Sequence, residues 1–248
     1  MTTSFILHTI LALLLLVLPF GALYLLDRPT MKPLAVALTK GSVQLLIFSL
    51  IAWGVYKVDN IWLSIGWLLV MAVWAGFLVI NKCKFAIQRY LFPTSAGLFV
   101  GVLLIGLWLL VAVLPIDLIS ARWFIPVMAV LLGHSAAMLV RGLGNFVTML
   151  QRNRGQYDFM LGNGASQWQA LVPFMRTSLL AILSPTIANL SALAIASLPL
   201  LFCGMLLGGF APINAFAMMV YAVLGCIASS VSALGITLVI IKYIHRLS

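Results

Sequence analysis

Residues 61–80 read Ile61-Trp62-Leu63-Ser64-Ile65-Gly66-Trp67-Leu68-Leu69-Val70-Met71-Ala72-Val73-Trp74-Ala75-Gly76-Phe77-Leu78-Val79-Ile80, without one ionisable side chain. An apolar run of about 20 residues is what a helix needs to cross a bilayer core, whereas a barrel strand needs about 10 alternating residues. No water reaches the backbone in hydrocarbon, so such a segment must bond its own amides to its own carbonyls. Asp59 and Asn60 precede the run and Lys82 and Lys84 follow it, so polar groups bracket the helix rather than interrupt it.

Extended along the chain, the same reading gives seven candidate spans: residues 5–26, 34–56, 61–80, 97–114, 124–150, 179–207 and 213–241. The fifth is expected to run on past the bilayer. The first is read as a retained span, because no Lys or Arg precedes Arg28 and its apolar run exceeds a signal-peptide core. Composition agrees with the pattern. Of 248 residues, 64% are hydrophobic and 7% charged, against roughly 25% charged in a soluble domain. The expected fold is an all-α integral membrane protein, a single transmembrane domain over residues 1–248.

The net charge is +10, from 14 basic residues against four aspartates, Asp27, Asp59, Asp117 and Asp158, with no Glu. In a soluble protein such an excess would suggest nucleic acid. Here the basic residues sit in short loops, and twelve of them fall on one side of the predicted topology, leaving only Lys57 and Arg122 on the other. The positive-inside bias explains that sorting, places the N-terminus outside and the C-terminus in the cytoplasm, and leaves no role for nucleic acid. Trp53, Tyr56, Trp62 and Trp123 lie near the predicted outer boundary, where amphipathic rings suit the headgroup zone. The cysteines, Cys83, Cys203 and Cys226, have neither C-x-x-C nor zinc-finger spacing.

The longest stretch outside the spans reads Gln151-Arg152-Asn153-Arg154-Gly155-Gln156-Tyr157-Asp158-Phe159-Met160-Leu161-Gly162-Asn163-Gly164-Ala165-Ser166-Gln167-Trp168-Gln169-Ala170-Leu171. Residues 162–164 can turn sharply, since glycine tolerates positive φ. Ser166 can cap a new helix through its side-chain oxygen. Trp168, Ala170 and Leu171 would then give a short helix an apolar surface. Two readings fit this layout: a docking element on the inner face, or an ordinary loop with an interfacial Trp anchor.

Asp158, then Gly164-Ala165-Ser166-x-Trp168-Gln169-Ala170, then Pro185 resembles the coupling-helix signature of ABC transporter permeases. In that family the glycine opens a short helix that seats in a groove of a separate ATPase subunit. Asp158 takes the signature's acidic position, and Phe159 and Met160 stand where two alanines are usual. From Ile125 onward the chain resembles the FetB-like permeases more specifically. Ile125-Pro126, Gly133, Gly142-x-Gly144-Asn145, residues 161–170, Ser184-Pro185-Thr186, Ser197-Leu198-Pro199, Gly204, Gly208-Gly209 and Pro212 keep that family's order and spacing. The N-terminal half agrees only in span number and length.

The resemblance implies a permease subunit in a bacterial inner membrane, working as a homodimer with two ATPase chains. These would dock at Asp158, Gly164, Ala165, Ser166, Trp168, Gln169, Ala170 and Leu171. It also implies export of a metal ion, iron-like. ATP and Mg would belong to the partner ATPase, with no cofactor in this chain. The residues agree: there is no G-x-x-x-x-G-K-[ST] phosphate loop, no H-E-x-x-H and no G-x-S-x-G. The chain is therefore expected to be a transport subunit and not an enzyme.

Intramembrane polar groups are costly, so each invites a role. His134, Met138 and Arg141 fall at i, i+4 and i+7, on one helical face. They could line a pathway, His134 contacting substrate and Arg141 guiding it. A packing histidine and an arginine that snorkels to the surface require less. In the sixth run Thr186, Asn189 and Ser197 accompany Pro185 and Pro199, which are expected to interrupt the helix and so permit hinging. Gly225, Ser229, Ala233 and Thr237 recur every four residues in the seventh, a stripe that reads as a helix–helix seam. His134, Cys203, Met205 and Cys226 are the available soft or imidazole ligands, though buried inert thiols explain the cysteines as well. Three alternatives stand beside the exporter: an ABC permease for a lipid or nucleotide-sugar, a secondary transporter without an ATPase partner, and a non-transporting scaffold.

Overall fold

The computed structural model describes residues 14, 16–26, 28–58, 60–113, 121–191 and 198–244. Among them every regular element is a helix and no strand occurs. Among the described residues six helices are long and apolar enough to cross a bilayer, which makes this an all-α, multi-pass membrane protein. The chain divides into two compact units, Met1–Lys57 and Val58–Ser248.

In the first unit α1 (Val17–Leu26) leads through a 3₁₀ turn, Arg28–Thr30, into α2 (Met31–Val58). The 28 residues of α2 span about 42 Å at 1.5 Å per residue, more than the roughly 30 Å hydrocarbon core. A cation rests on an aromatic ring near each end: Arg28 lies 4.3 Å from the Tyr24 centroid and Lys57 4.0 Å from that of Trp53. Such pairs suit the headgroup zone, where one end of the ring is apolar and the other wet. Of the expected first span, Val17–Leu26 is helical and the earlier part lies outside the described residues.

The second unit is built from α3 (Ile61–Cys83), α4 (Ile87–Trp108) with a π-helical continuation Leu109–Val113, α5 (Ala121–Arg152), α6 (Arg154–Gly162), α7 (Gln167–Ser191), α8 (Leu198–Leu207) and α9 (Pro212–Ile244). Asn60 starts α3 by accepting the Trp62 amide at 2.9 Å. Lys84 ends it in a left-handed conformation, φ 57, while the Lys84 and Phe85 amides reach back to Asn81 and Ile80 at 3.3 and 3.2 Å. That Schellman turn reverses the chain into α4.

Small residues then set how closely the helices approach. A Cβ built on Gly101 of α4 would lie 2.7 Å from the Ala233 nitrogen of α9, and Gly97 faces Thr237 one turn away. Gly225 faces Leu109 and Leu131, and Gly142 faces Ile182 and Leu234. These registers make α4 and α7 antiparallel to α5 and α9. The expected four-residue stripe on the last span is thus a packing seam, against α4 at Ala233 and Thr237 and against α5 at Ser229, whose Oγ accepts from Ser135 at 2.9 Å. Leu98, Val102, Leu131, Leu139, Leu143 and Ile182 fill the buried centre between the seams.

Two helix starts lie well before those expected, and one expected break is absent. Helix α4 begins at Ile87 rather than residue 97, carrying Pro93 in its second turn. The ring has no N–H and so removes one helical hydrogen bond there, and burial of Thr94, Ser95 and Leu98 holds the turn in place. Helix α7 begins at Gln167, so residues 167–171 are the first turn of a membrane helix and not a separate short one. A cap at Ser166 starts it and no glycine interrupts it before Ser191. It also runs through Pro185 without a break, because neighbouring helices support the turn that loses a hydrogen bond. The separate short helix is α6.

Candidate functional site

At the end where α5 finishes and α7 starts, α6 and α7 meet in a corner with fixed local geometry. Gly164 adopts φ 84. Its amide bonds to the Leu161 carbonyl at 3.0 Å, and the Ala165 amide to that of Met160 at 3.1 Å, which closes α6 as a Schellman turn. Helix α7 then opens with a reciprocal capping box. The Gln169 amide donates to Ser166 Oγ at 3.3 Å, and the Ser166 amide to Gln169 Oε1 at 2.9 Å. The glycine and the serine singled out in the sequence therefore carry the turn and the cap expected of them.

The exposed face of the corner differs from the expected one. Ala170 and Leu171 are 0% and 3% exposed and belong to the chain's own core. The large apolar groups that reach solvent are Phe159 at 71%, Trp168 at 42% and Val172. The reason is helical spacing: the first turn of α7 packs on α5 and α6, and only one side of it stays free. Asp158 lies 3.9 Å from Arg154, both exposed, a pair of little energetic weight. Tyr157 is buried with its hydroxyl unpartnered. Burial, and secondarily the Asp158 carboxylate, pushes its phenol above the usual tyrosine range.

Lys242, near the end of α9, sits with its Nζ 5.0 Å from the Trp168 centroid and 5.5 Å from that of Tyr243. Sequence reasoning missed this contact. The signal was available, since one more step of four along the Gly225–Thr237 stripe reaches Ile241, a buried residue adjacent to Lys242. The Cys83 thiol donates to the Val140 carbonyl at 3.4 Å, which places the end of α3 beside the later turns of α5. Lys82, Lys84, Arg89, Arg152, Arg154 and Lys242 therefore collect at the corner's end of the second unit. At the opposite end Trp123 meets Phe210 edge-on, centroids 5.9 Å apart.

Inside the bundle, the predicted pathway residues separate. Met138 is buried and receives Thr186 Oγ1 at 3.9 Å, a contact between α5 and α7. Arg141 is exposed, and His134 is half-buried with a sequestered, unpartnered Nε2. At about 100° per residue, i+7 returns to within about 20° of the start, whereas i+4 is rotated by about 40°. Met138 therefore turns into the core while His134 and Arg141 share its edge. The Asn189 side chain and Ser197 lie outside the described residues. Cys203 is exposed on α8, Met205 lies on the same helix, and Cys226 is half-buried on α9. Among the described residues no three His, Cys, Asp or Glu side chains converge. Ser135, which pairs with Ser229, was not singled out in the sequence, although its spacing of four from Leu131 and Leu139 puts it on the buried stripe.

No curated protein and no solved structure is significantly similar to the chain. A family model described as Uncharacterised protein family (UPF0014) matches residues 6–247. The match takes in the N-terminal spans, where the motif resemblance was weakest, along with the corner and both of its flanking helices. With its multi-pass helical architecture, the chain belongs to this ABC-transporter-permease-like family, UPF0014.

Proposed function

We propose that this chain is the membrane-spanning subunit of an ATP-driven ABC exporter in a bacterial inner membrane, with two copies forming the pathway and a P-loop ATPase docked on each corner. The observation that carries the reading is the α6–α7 corner: locked by its own turn and cap, flanked by cations, and presenting Phe159 and Trp168 to solvent. An interfacial anchor would account for Trp168 alone; Phe159, exposed on the same frame fixed by its own turn and cap, favours a docked partner. ATP binding would draw the two ATPases together. The corner would then carry that displacement into α5 and α7, which it joins directly. The polar contacts between these helices, Met138 with Thr186, and the edge bearing His134 and Arg141 are the parts of the bundle that such a movement would rearrange.

The exported substrate is a metal ion, iron-like, on the strength of the motif resemblance from Ile125 onward. The test begins with tagged chain purified from its native membrane in mild detergent. A P-loop ATPase should co-purify, and should be lost when Gly164 and Trp168 are replaced by Glu. The pair is then reconstituted in vesicles and ATP-dependent movement of ferrous iron is measured. Recovery of no ATPase from well-folded protein would transfer the reading to a secondary transporter. ATPase recovery without metal movement would transfer the substrate to a lipid or nucleotide-sugar.

A further inference from the structure

The Lys242–Trp168 contact joins two pieces of structure that are each fixed independently. Trp168 stands on the first turn of α7, which the Ser166–Gln169 capping box holds in place. Lys242 stands at the end of α9, which is anchored along its length through Ser229 on Ser135, Ala233 on Gly101 and Thr237 on Gly97. The ammonium lies within 6 Å of two ring centroids, Trp168 at 5.0 Å and Tyr243 at 5.5 Å. An indole face is the strongest of the aromatic partners for a cation. Trp168 is 42% exposed, so part of the ring remains open to a partner while Lys242 occupies the side toward α9.

We infer that Lys242 is a positioning residue that pins the α6–α7 corner to the end of α9 through Trp168, so that α9 as well as α5 and α7 follows any displacement of the corner. That a docked ATPase supplies the displacement rests on the proposed function; the pin itself does not. Coupling of this kind is reciprocal: loosening either residue must loosen both segments.

The experiment measures amide hydrogen exchange on the purified full chain in detergent, in peptides covering residues 164–172 and 238–243. Lys242→Gln should speed exchange in both by about two- to fivefold, the loss of one partly exposed cation–π contact. Trp168→Leu should do the same in the 238–243 peptide, Lys242→Arg should restore the wild-type rate, and Lys242→Gln should add nothing in the Trp168→Leu background. Unchanged exchange at 164–172 in Lys242→Gln would overturn the inference. So would an effect that persists undiminished without Trp168. Failure of an ATPase to co-purify would sink the proposed function and leave these rates as they are.

Discussion

Gly101 of α4 lies so close to Ala233 of α9 that a Cβ on the glycine would stand 2.7 Å from the Ala233 nitrogen and 2.8 Å from its Cα. The obstruction is backbone, which cannot swing aside as a side-chain tip can. Gly101→Val should therefore force the two helices apart and cost about 1–3 kcal/mol or more. Gly235, on α9, has nothing within 4 Å of the corresponding point. Gly235→Ala should be neutral or stabilising by up to about 1 kcal/mol, from helix propensity alone. Thermal unfolding in detergent decides it: opposite signs support the seam, and equal effects would mean that α4 and α9 are not in this register.

Ser135 donates to Ser229 across the α5–α9 interface at 2.9 Å, and Ser229 Oγ also bonds its own Cys226 carbonyl at 3.2 Å. The second bond leaves the Ser229 hydroxyl satisfied when Ser135 is lost. Ser135→Ala is expected to cost about 0.6 kcal/mol, the usual size of an interhelical hydrogen bond in a membrane protein. The same substitution in a Ser229→Ala background should cost less, and a double-mutant cycle on unfolding reads the difference. A coupling of zero would remove the serine pair from the account of how α5 and α9 are held.

The corner should respond to its own caps without disturbing the bundle. Ser166→Ala removes one half of the capping box and should cost about 1 kcal/mol, with Ser166→Asp largely restoring it. Gly164→Ala places a Cβ at φ 84, where an L-residue pays about 1–2 kcal/mol. Both should appear as faster hydrogen exchange over residues 164–171 with little change in the melting of the whole protein. A drop in global stability without local opening would mean that the turn and the cap do not open apart from the bundle.

Much of this was legible in the residues because the bilayer fixes the physics. The run 61–80 could only be a spanning helix, and α3 covers Ile61–Cys83. Spacings of four on the last span encoded a seam, and Gly164 and Ser166 encoded a turn and a cap. What the sequence withheld were facts set by packing. Nothing local distinguishes Ala170 and Leu171, which are buried, from Trp168, which is exposed; that depends on where α5 lies. Hydropathy put the start of α7 at residue 179 because Arg176 and Thr177 mark a polar stretch, yet a helix does not end where a membrane does. The separation of Met138 from His134 and Arg141, by contrast, was readable from spacing alone, since four residues rotate by about 40°, about one-ninth of a turn.

Tyr157 offers a test with a distinct pH signature. Its ring is buried and its hydroxyl has no partner, so Tyr157→Phe removes an unsatisfied group and should be neutral or stabilising by up to about 1 kcal/mol at pH 7. Burial first, then the adjacent Asp158 carboxylate, raises the phenol's pKa in the folded chain. The unfolded chain ionises at the ordinary value near pH 10. The folded state therefore holds its proton to higher pH than the unfolded one, so this group's contribution is complete below about pH 10 and is lost as pH rises toward the folded pKa. Wild type should lose stability over that range and Tyr157→Phe should lose less. Asp158→Asn should bring the tyrosinate absorbance transition down toward the ordinary value without reaching it, since burial remains. A Tyr157→Phe variant that melts lower than wild type at neutral pH would mean that the hydroxyl has a partner, and a docked surface on α6 would be the place to look for it.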